Sequence, residues 1–257
     1  MIRELLRGFL NSKVVGPFYS PLKKWRMAGK IVAFQSSQER SFVVSRNAIE
    51  SDFSSLANRF GSDKDGIVGA KTPFIWPPHT YGTFYEFLFG HRRNSIRSVF
   101  ECGIGSANTE IESNMGQDGR PGASLRLWRE YFPNSEIVAV DIDVKALINE
   151  ARIKSFQLDQ TDGESVTAFW QLHPNLFFDL MIDDGLHNVH AGMTLLTNSF
   201  NRLKSEGYYV IEDVSVNDLE AFSQELTKGK FDYYVITLSR PKEFGFDNNL
   251  IVIRGRE

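Results

Sequence analysis

Three acidic residues and one histidine stand where two apolar runs of the sequence end. Asp183, Asp184 and His187 directly follow one run, and Asp213 follows the next. If the runs are neighbouring parallel strands, about 4.8 Å apart, these carboxylates converge and repel unless a cation joins them. Oxygen ligands favour a hard ion such as magnesium or calcium. A neutral His187 facing the same pocket would serve as a general base.

A purely structural interpretation of these residues stays open. Asp183 or Asp184 can cap the helix that follows, and His187 can be an ordinary loop histidine. The convergence of the whole set favours the chemical interpretation over the structural one.

A second pattern, earlier in the chain, predicts a nucleoside-binding turn. Gly103 and Gly105 follow an apolar run and permit a tight turn that a ligand can approach closely. Asp141 ends the next run, where an acid accepts hydrogen bonds from ribose hydroxyls. Residues 106–108 lack the third glycine of a pyrophosphate-binding turn. The pattern therefore suits S-adenosylmethionine, which has a nucleoside and no pyrophosphate; a turn without a ligand is the alternative.

Alternating strands and helices must position these residues. Strands are predicted at 98–102, 136–141, 153–158, 177–182, 208–211, 233–238 and 250–253, with helices at 123–132, 145–151, 164–172, 190–203 and 217–226. This order predicts an α/β fold with a Rossmann-like, doubly wound, mostly parallel seven-stranded sheet. No full helix separates the final two strands, so the last strand should be antiparallel. Ligands bind outside the carboxyl ends of such strands, where the acids lie.

Two regions follow from this organisation. Residues 1–95 are predicted to form an N-terminal arm and a small, mainly helical cap, with helices at 49–60 and 85–89. Residues 96–257 are predicted to form the cofactor-binding domain.

Composition excludes several classes of protein. The 257 residues are 42% hydrophobic and 24% charged, which is ordinary globular usage rather than that of a disordered or fibrous chain. Residues 51–257 hold 20 basic and 29 acidic side chains, which argues against nucleic-acid binding. One cysteine, no visible signal peptide and no apolar run near the roughly 20 residues of a membrane span predict a cytoplasmic protein.

The basic N-terminal arm needs a separate explanation. Residues 1–50 hold nine basic and three acidic side chains, and five apolar residues share one helical face: Ile2, Leu5, Leu6, Phe9 and Leu10. We favour an arm that docks on a neighbouring subunit, which predicts a homo-oligomer. The alternative is peripheral membrane contact, supported by Lys23, Lys24 and Arg26.

Several motifs, taken in order, resemble the macrocin and mycinamicin sugar O-methyltransferases. The resemblance covers about residues 56–215. The motifs are residues 56–64, His79, Tyr81, residues 85–86, 122–133, 140–143, 158–162, 182–187 and 210–213.

The resemblance implies an enzyme that uses S-adenosylmethionine and a divalent metal, usually Mg²⁺, to methylate a sugar hydroxyl of a glycosylated natural product or glycan. It implies metal ligation by Asp184 and Asp213, with His187 as the base. A third acidic ligand is expected, and Glu101 is the nearest candidate, although Glu101 could equally serve the cofactor. The cofactor-binding set expected from the residues and from the resemblance comprises Glu101, Gly103, Gly105, Asp141 at the ribose, Asp159 and Gln160 at the adenine, Asp183, His79 and Tyr81.

The chain departs from the family pattern at two places. Residues 106–122 form a long polar loop, which either lies over the substrate or the methionine end of the cofactor or is a solvent-exposed insertion. Leu186 replaces a small polar residue and makes the pocket edge more apolar.

Two other functions stay open. The same resemblance extends to proteins linked with cephalosporin hydroxylation, and the acids with one histidine are also similar to an iron site of an oxygenase. A non-catalytic cofactor-binding partner in a biosynthetic complex is the other alternative. Metal analysis separates the iron enzyme from the methyltransferase.

Overall fold

The computed structural model describes residue 30 and residues 40–45, 50–67, 69–239 and 247–255. The predicted helix of the N-terminal arm and its basic residues at 23–26 lie outside this part of the chain. Among the helices that are described, none is long and apolar enough to cross a membrane.

One sheet of nine strands and six α-helices make up the described structure. The strands are β1 (Ser41–Ser45), β2 (Ser98–Cys102), β3 (Glu136–Asp141), β4 (Asn149–Glu150), β5 (Ile153–Gln157), β6 (Phe178–Asp183), β7 (Leu203–Ile211), β8 (Tyr233–Ser239) and β9 (Asn249–Arg254). The helices are α1 (Asp52–Phe60), α2 (Tyr81–Phe89), α3 (Ala123–Tyr131), α4 (Gly163–Leu172), α5 (Val189–Ser199) and α6 (Leu219–Lys228).

The strand order places the chemically rich strand ends side by side. The order is β1-β8-β9-β7-β6-β2-β3-β5-β4. Strands β3 and β5 lie on one side of β2, whereas β6 and β7 lie on its other side, so the strand order reverses at β2. In the parallel register Cys102 pairs with Val140 and with Asp183, and Asp183 pairs with Ile211. The residues that follow β2, β6 and β7 therefore meet at one edge, which is the position where open α/β sheets bind ligands.

Apolar side chains cover both faces of the sheet, as a doubly wound fold requires. Along β2, Val99 packs in a core with α1, α2 and α3, whereas its neighbour Phe100 packs in a second core with α4, α5 and α6. Successive strand residues point to opposite faces, so a strand buried on both sides needs an apolar run rather than alternation. The predicted α/β architecture is confirmed.

The antiparallel last strand is also confirmed. Strand β9 runs antiparallel to both β7 and β8. The sheet has two strands more than the seven predicted, because β1 adds to one edge, parallel to β8, and the two-residue β4 adds to the other.

The helix predicted over residues 145–151 is wrong. A turn leads into β4 instead, and the Ser155 hydroxyl bonds both the amide and the carbonyl of Ile148, at 2.7 and 2.6 Å. Arg152 has a φ of 63° at the reversal into β5. A side chain from the neighbouring strand thus satisfies backbone groups that a helix would have used internally.

The cap packs on the same core as the sheet. The ring of Phe53 lies 5.4 Å from that of Trp128, and the ring of Tyr85 lies 4.8 Å from it. Helix α1 begins with a reciprocal capping box between Ser51 and Ser54. The division at residue 95 stays a prediction, and these contacts join the two proposed regions closely.

Candidate active site

A cavity of about 460 Å³ opens at the carboxyl edge of the sheet. It extends from the ends of β2 and β3 to the ends of β6 and β7. Its walls include Gly103, Gly105, Asp141, Ile142, Leu158, Asp159, Gln160, Asp184, Leu186, His187 and Asp213. One space therefore joins the glycine turn to the acidic group.

At one end of the cavity, Asp141 is held in place by the backbone around it. Its carboxylate accepts hydrogen bonds from the amide of Ile104 at 2.7 Å and from that of Asp143 at 2.8 Å. Asp159 accepts bonds from the amide and hydroxyl of Thr161, at 2.9 and 2.6 Å. Both carboxylates are fixed before any ligand enters and retain further acceptor capacity for hydroxyl or amine donors.

Gln160 ties the loop after β6 to the cavity wall. Its side-chain amide donates to Asp183 at 3.0 Å, and its carbonyl accepts from the amide of Leu186 at 2.8 Å. Asp183 is buried behind this wall, and burial raises its pKa to about 6. These contacts give Gln160 and Asp183 a role in holding residues 184–187 in position.

At the other end of the cavity, Asp184, His187 and Asp213 face one another. His187 Nε2 lies 3.4 Å from Asp184 Oδ1, and His187 Nδ1 lies 3.4 Å from Asp213 Oδ2. One ligand atom of each residue lies within 4.8 Å of the others. The helix-capping interpretation fails here, because Asn188 caps α5 through the amide of Ala191.

The backbone at two of these residues is in an uncommon conformation. His187 has a φ of 57° and Asp213 a φ of 54°, both in the left-handed region that non-glycine residues rarely occupy. Such conformations cost about 1–3 kcal/mol and gather at functional sites. These backbone conformations place both side chains beside Asp184, at a cost in the stability of the folded chain.

Asp184 also belongs to a second group around Lys64, in which Lys64, Glu101 and Glu212 are buried and Asp184 is partly exposed. The Lys64 ammonium lies 2.7 Å from Asp184 Oδ2 and 3.0 Å from Glu101 Oε1, and it also bonds Glu212. The Glu101 carboxylate further accepts from Ser124 at 3.0 Å and from Trp128 at 3.1 Å. Glu101 thus lies in the Lys64 group, and Asp184 is the residue that connects this group to His187 and Asp213.

The cap supplies the remaining contacts to these acids. Tyr85 donates to Glu212 at 2.6 Å, and Tyr81 donates to Asp213 at 2.5 Å. His79 Nε2 lies 3.2 Å from Asp213, and the His79 ring stacks on that of Tyr81 at 4.6 Å. His79 and Tyr81, assigned by the resemblance to the cofactor, therefore lie at the acidic group.

Electrostatics show that the acidic groups hold more negative charge than their neighbours balance. Burial, with repulsion from Asp184 and Glu101, raises the pKa of Glu212 to about 8 despite Lys64. Burial disfavours a charged His79, but Asp213 and other carboxylates outweigh it and raise the pKa of His79 to about 9. Lys64 and His187 overcome the burial of Asp184 and lower its pKa. The raised pKa values of Glu212 and His79 indicate a local excess of negative charge, which a further bound cation would stabilise.

The polar loop at 106–122 forms part of the cavity wall. Ile111, Glu112, Ser113 and Met115 line the cavity, and the amide of Met115 donates to the carbonyl of Ser106 at 2.8 Å. Of the two interpretations of this loop, the structure favours the one in which it lies over the pocket.

Sequence reasoning left Lys64 and Tyr85 without a role and named Glu212 only as a strand-end acid. Both cap residues stand inside motifs of the resemblance, which was the available signal. Both residues contact Glu212, which lies more than a hundred residues further along the chain, so only the fold brings these side chains together.

Gly103 gives a stability test of this edge. Its φ is +94°, and a Cβ there would lie 2.1 Å from the carbonyl oxygen of Asp184. Gly69 has a similar φ of +80° with open space around it, so Gly69→Ala should cost only the left-handed strain, about 1–2 kcal/mol. Gly103→Ala should cost clearly more, measured by denaturant unfolding, because Asp184 must move. Equal costs would contradict the close approach.

Comparisons with known proteins show what the chain is similar to. No protein-family model matches the chain. It is 33% identical over 163 residues to 8-demethyl-8-(2-methoxy-alpha-L-rhamnosyl)-tetracenomycin-C 3'-O-methyltransferase of Streptomyces olivaceus, which covers 63% of this chain and 37% of that protein. It is 32% identical over 164 residues to mycinamicin VI 2''-O-methyltransferase of Micromonospora griseorubida, covering 63% and 36%. The chain thus spans less than two-fifths of the length of these curated relatives.

A solved structure has the same fold. The MycE methyltransferase from the mycinamycin biosynthetic pathway, in complex with Mg, SAH and mycinamycin VI, superimposes with a TM-score of 0.56 at 25% identity, covering 80% of this chain and 55% of that one.

The doubly wound sheet, its antiparallel last strand and the glycine turn at the cavity are the fold of the class I S-adenosylmethionine-dependent methyltransferases. Within that class, the curated relatives that the chain matches are sugar O-methyltransferases.

Proposed function

We propose that this chain is an S-adenosylmethionine- and divalent-metal-dependent O-methyltransferase that acts on a sugar hydroxyl of a glycosylated natural product or glycan. The observation that carries the proposal is the single cavity between Asp141 and the group Asp184, His187 and Asp213. Such a cavity brings a nucleoside cofactor beside a metal-bound acceptor. The similarity to sugar O-methyltransferases supports the same activity.

The residues along the cavity from β3 toward β6 would hold the cofactor. Asp141 would accept hydrogen bonds from the ribose hydroxyls, and Asp159 and Gln160 would contact the adenine. Gly103 and Gly105 let the cofactor approach the backbone. Leu186 and the residues of the 106–122 loop that line the cavity exclude water from the reacting end.

The residues present fit a divalent ion. Four carboxylates meet at this edge, from Glu101, Asp184, Glu212 and Asp213. With Glu212 holding its proton, three negative charges face the charged Lys64 and His79, so one negative charge remains. Asp184 and Asp213 are the proposed ligands, since both line the cavity. Glu101, the nearest candidate for a third ligand by the resemblance, contacts Lys64, with its carboxylate 3.0 Å from the ammonium.

A bound magnesium ion would make a coordinated sugar hydroxyl more acidic, and S-adenosylmethionine would supply the methyl group. His187 then accepts the hydroxyl proton, because its imidazole lies at the cavity wall beside both ligand carboxylates. Asp184 and Asp213 keep the ring oriented and stabilise the imidazolium that forms. Positioning of acceptor and cofactor in one cavity supplies much of the remaining rate.

The direct test uses the purified chain with S-adenosylmethionine carrying a labelled methyl group, magnesium, and a panel of glycosides and cell extracts. Label transferred to a sugar oxygen, identified by mass spectrometry and abolished by a chelator, is the expected result. Metal analysis of the same sample addresses the two alternatives. Bound iron with no methyl transfer would favour the oxygenase, and cofactor binding without either would favour a non-catalytic partner.

The proposed enzyme is cytoplasmic and homo-oligomeric, with the N-terminal arm docked on a neighbouring subunit. Deleting residues 1–30 is therefore expected to reduce the mass measured by sedimentation and to leave liposome binding unchanged. Unchanged assembly together with lost liposome binding would instead assign the arm to a membrane surface, where each basic side chain contributes about 1 kcal/mol. That result would also direct the search for the acceptor toward a lipid-linked glycan.

A further inference from the structure

Lys64 is a fully buried cation enclosed by acids from three different strand ends. Its side chain is 2% exposed and contacts Glu101 at the end of β2, Asp184 after β6 and Glu212 after β7. The side chains of Glu101 and Glu212 are both 0% exposed. An ammonium in this position cannot be replaced by water without leaving buried carboxylates uncompensated.

The three acids around Lys64 have the geometry of a metal site in their own right. Glu101, Asp184 and Glu212 each offer a carboxylate oxygen within 4.8 Å of the others. They share Asp184 with the first group, so the two groups together resemble the frame of a two-metal centre with a bridging carboxylate. In this chain, the centre of the second group is taken by Lys64.

The cap fixes Lys64 in that position through its backbone. The amide of Tyr81 donates to the carbonyl of Lys64 at 2.9 Å, and the amide of His79 donates to the carbonyl of Asp63 at 2.7 Å. Tyr81 and His79, whose amides hold the backbone at Lys64 and Asp63, thus also contact Asp213 through their side chains.

We propose that Lys64 is a positioning residue that acts as the permanent cation of the second acidic group, so that the site takes one divalent ion, at Asp184 and Asp213. By holding Asp184 Oδ2, Lys64 leaves Asp184 Oδ1 directed at the group with His187 and Asp213. This inference rests on the proposed function, because it presupposes the metal at Asp184 and Asp213.

The test counts Mn²⁺ ions bound per chain by equilibrium dialysis, with electron paramagnetic resonance to detect coupled pairs. The wild-type chain should bind one ion with an uncoupled spectrum. Lys64→Met keeps the apolar stem and removes the charge, and it should bind two ions with a coupled spectrum. Lys204→Met is the matched control, since Lys204 pairs with Asp179 at the opposite end of β6, and it should bind one ion.

A double variant separates charge from shape. Lys64→Met with Glu101→Gln restores the net charge of the group without a lysine, so it should fold and bind one ion. Two ions in this variant, or one ion with unchanged affinity in Lys64→Met, would overturn the proposal. If the wild-type chain bound two ions, the proposed role of Lys64 would be wrong, whereas the metal site at Asp184 and Asp213 would stand. A wild-type chain that binds none would overturn the proposed metal site together with it.

Discussion

Replacing His187 with asparagine should lower the rate of methyl transfer by roughly 10²–10⁴-fold, the usual contribution of a general base. Asparagine is the suitable replacement because His187 has a φ of 57°, a conformation that asparagine adopts at little cost. The measurement is turnover of labelled cofactor at saturating acceptor, alongside cofactor affinity by calorimetry. Affinity should not change, since the proposed cofactor contacts are made by other residues.

His190 provides the matched control for this variant. It is exposed on α5, three residues beyond His187, and has no role in the proposed site. His190→Asn should therefore retain full turnover. If His187→Asn lost cofactor affinity and kept its turnover per bound cofactor, the assignment of His187 as the base would be wrong.

The second large effect is expected from Asp213→Asn, which removes one ligand charge while keeping the shape of the side chain. Loss of an outer partner of a metal ligand costs roughly 10–100-fold in affinity, and loss of a ligand itself should cost at least the upper end of that range. Mn²⁺ affinity measured by calorimetry should fall accordingly, and methyl transfer should fall with it. Cofactor affinity should stay within twofold of wild type.

The same substitution at Asp218 is the control for this loss. Asp218 lies at the start of α6, where its side chain makes no capping hydrogen bond. Asp218→Asn should bind Mn²⁺ like the wild type. Unchanged Mn²⁺ affinity in Asp213→Asn would remove Asp213 from the metal site and leave it as a partner of His79 and Tyr81.

The sheet and the proximity of Asp184, His187 and Asp213 could be predicted from the sequence, because both follow from the local pattern of apolar residues and from the topology of parallel sheets. Apolar runs mark the buried strands, and parallel strands end at a common edge. The glycine turn at 103–105 was visible for the same reason, as it directly follows a strand.

The role of Lys64 was not accessible in this way. In sequence it stands in a polar turn between Asp63 and Asp65, where a solvated lysine is the ordinary expectation. Its burial depends on tertiary contacts with Glu101 and Glu212, which no periodicity encodes. Strand β4 was missed for a related reason, because the hydroxyl of Ser155 holds Ile148 in an extended turn.

The cap residues that hold the acids have a thermodynamic consequence for the whole molecule. Lys64, Tyr81 and Tyr85 connect the cap to the strand ends through the carboxylates that surround the proposed ion. In the proposed enzyme, cap docking and ion binding would share a coupling free energy, and linkage makes it reciprocal: a bound ion would stabilise the docked cap by the amount that the docked cap strengthens ion binding. Magnesium would then add to the free energy of unfolding of the chain.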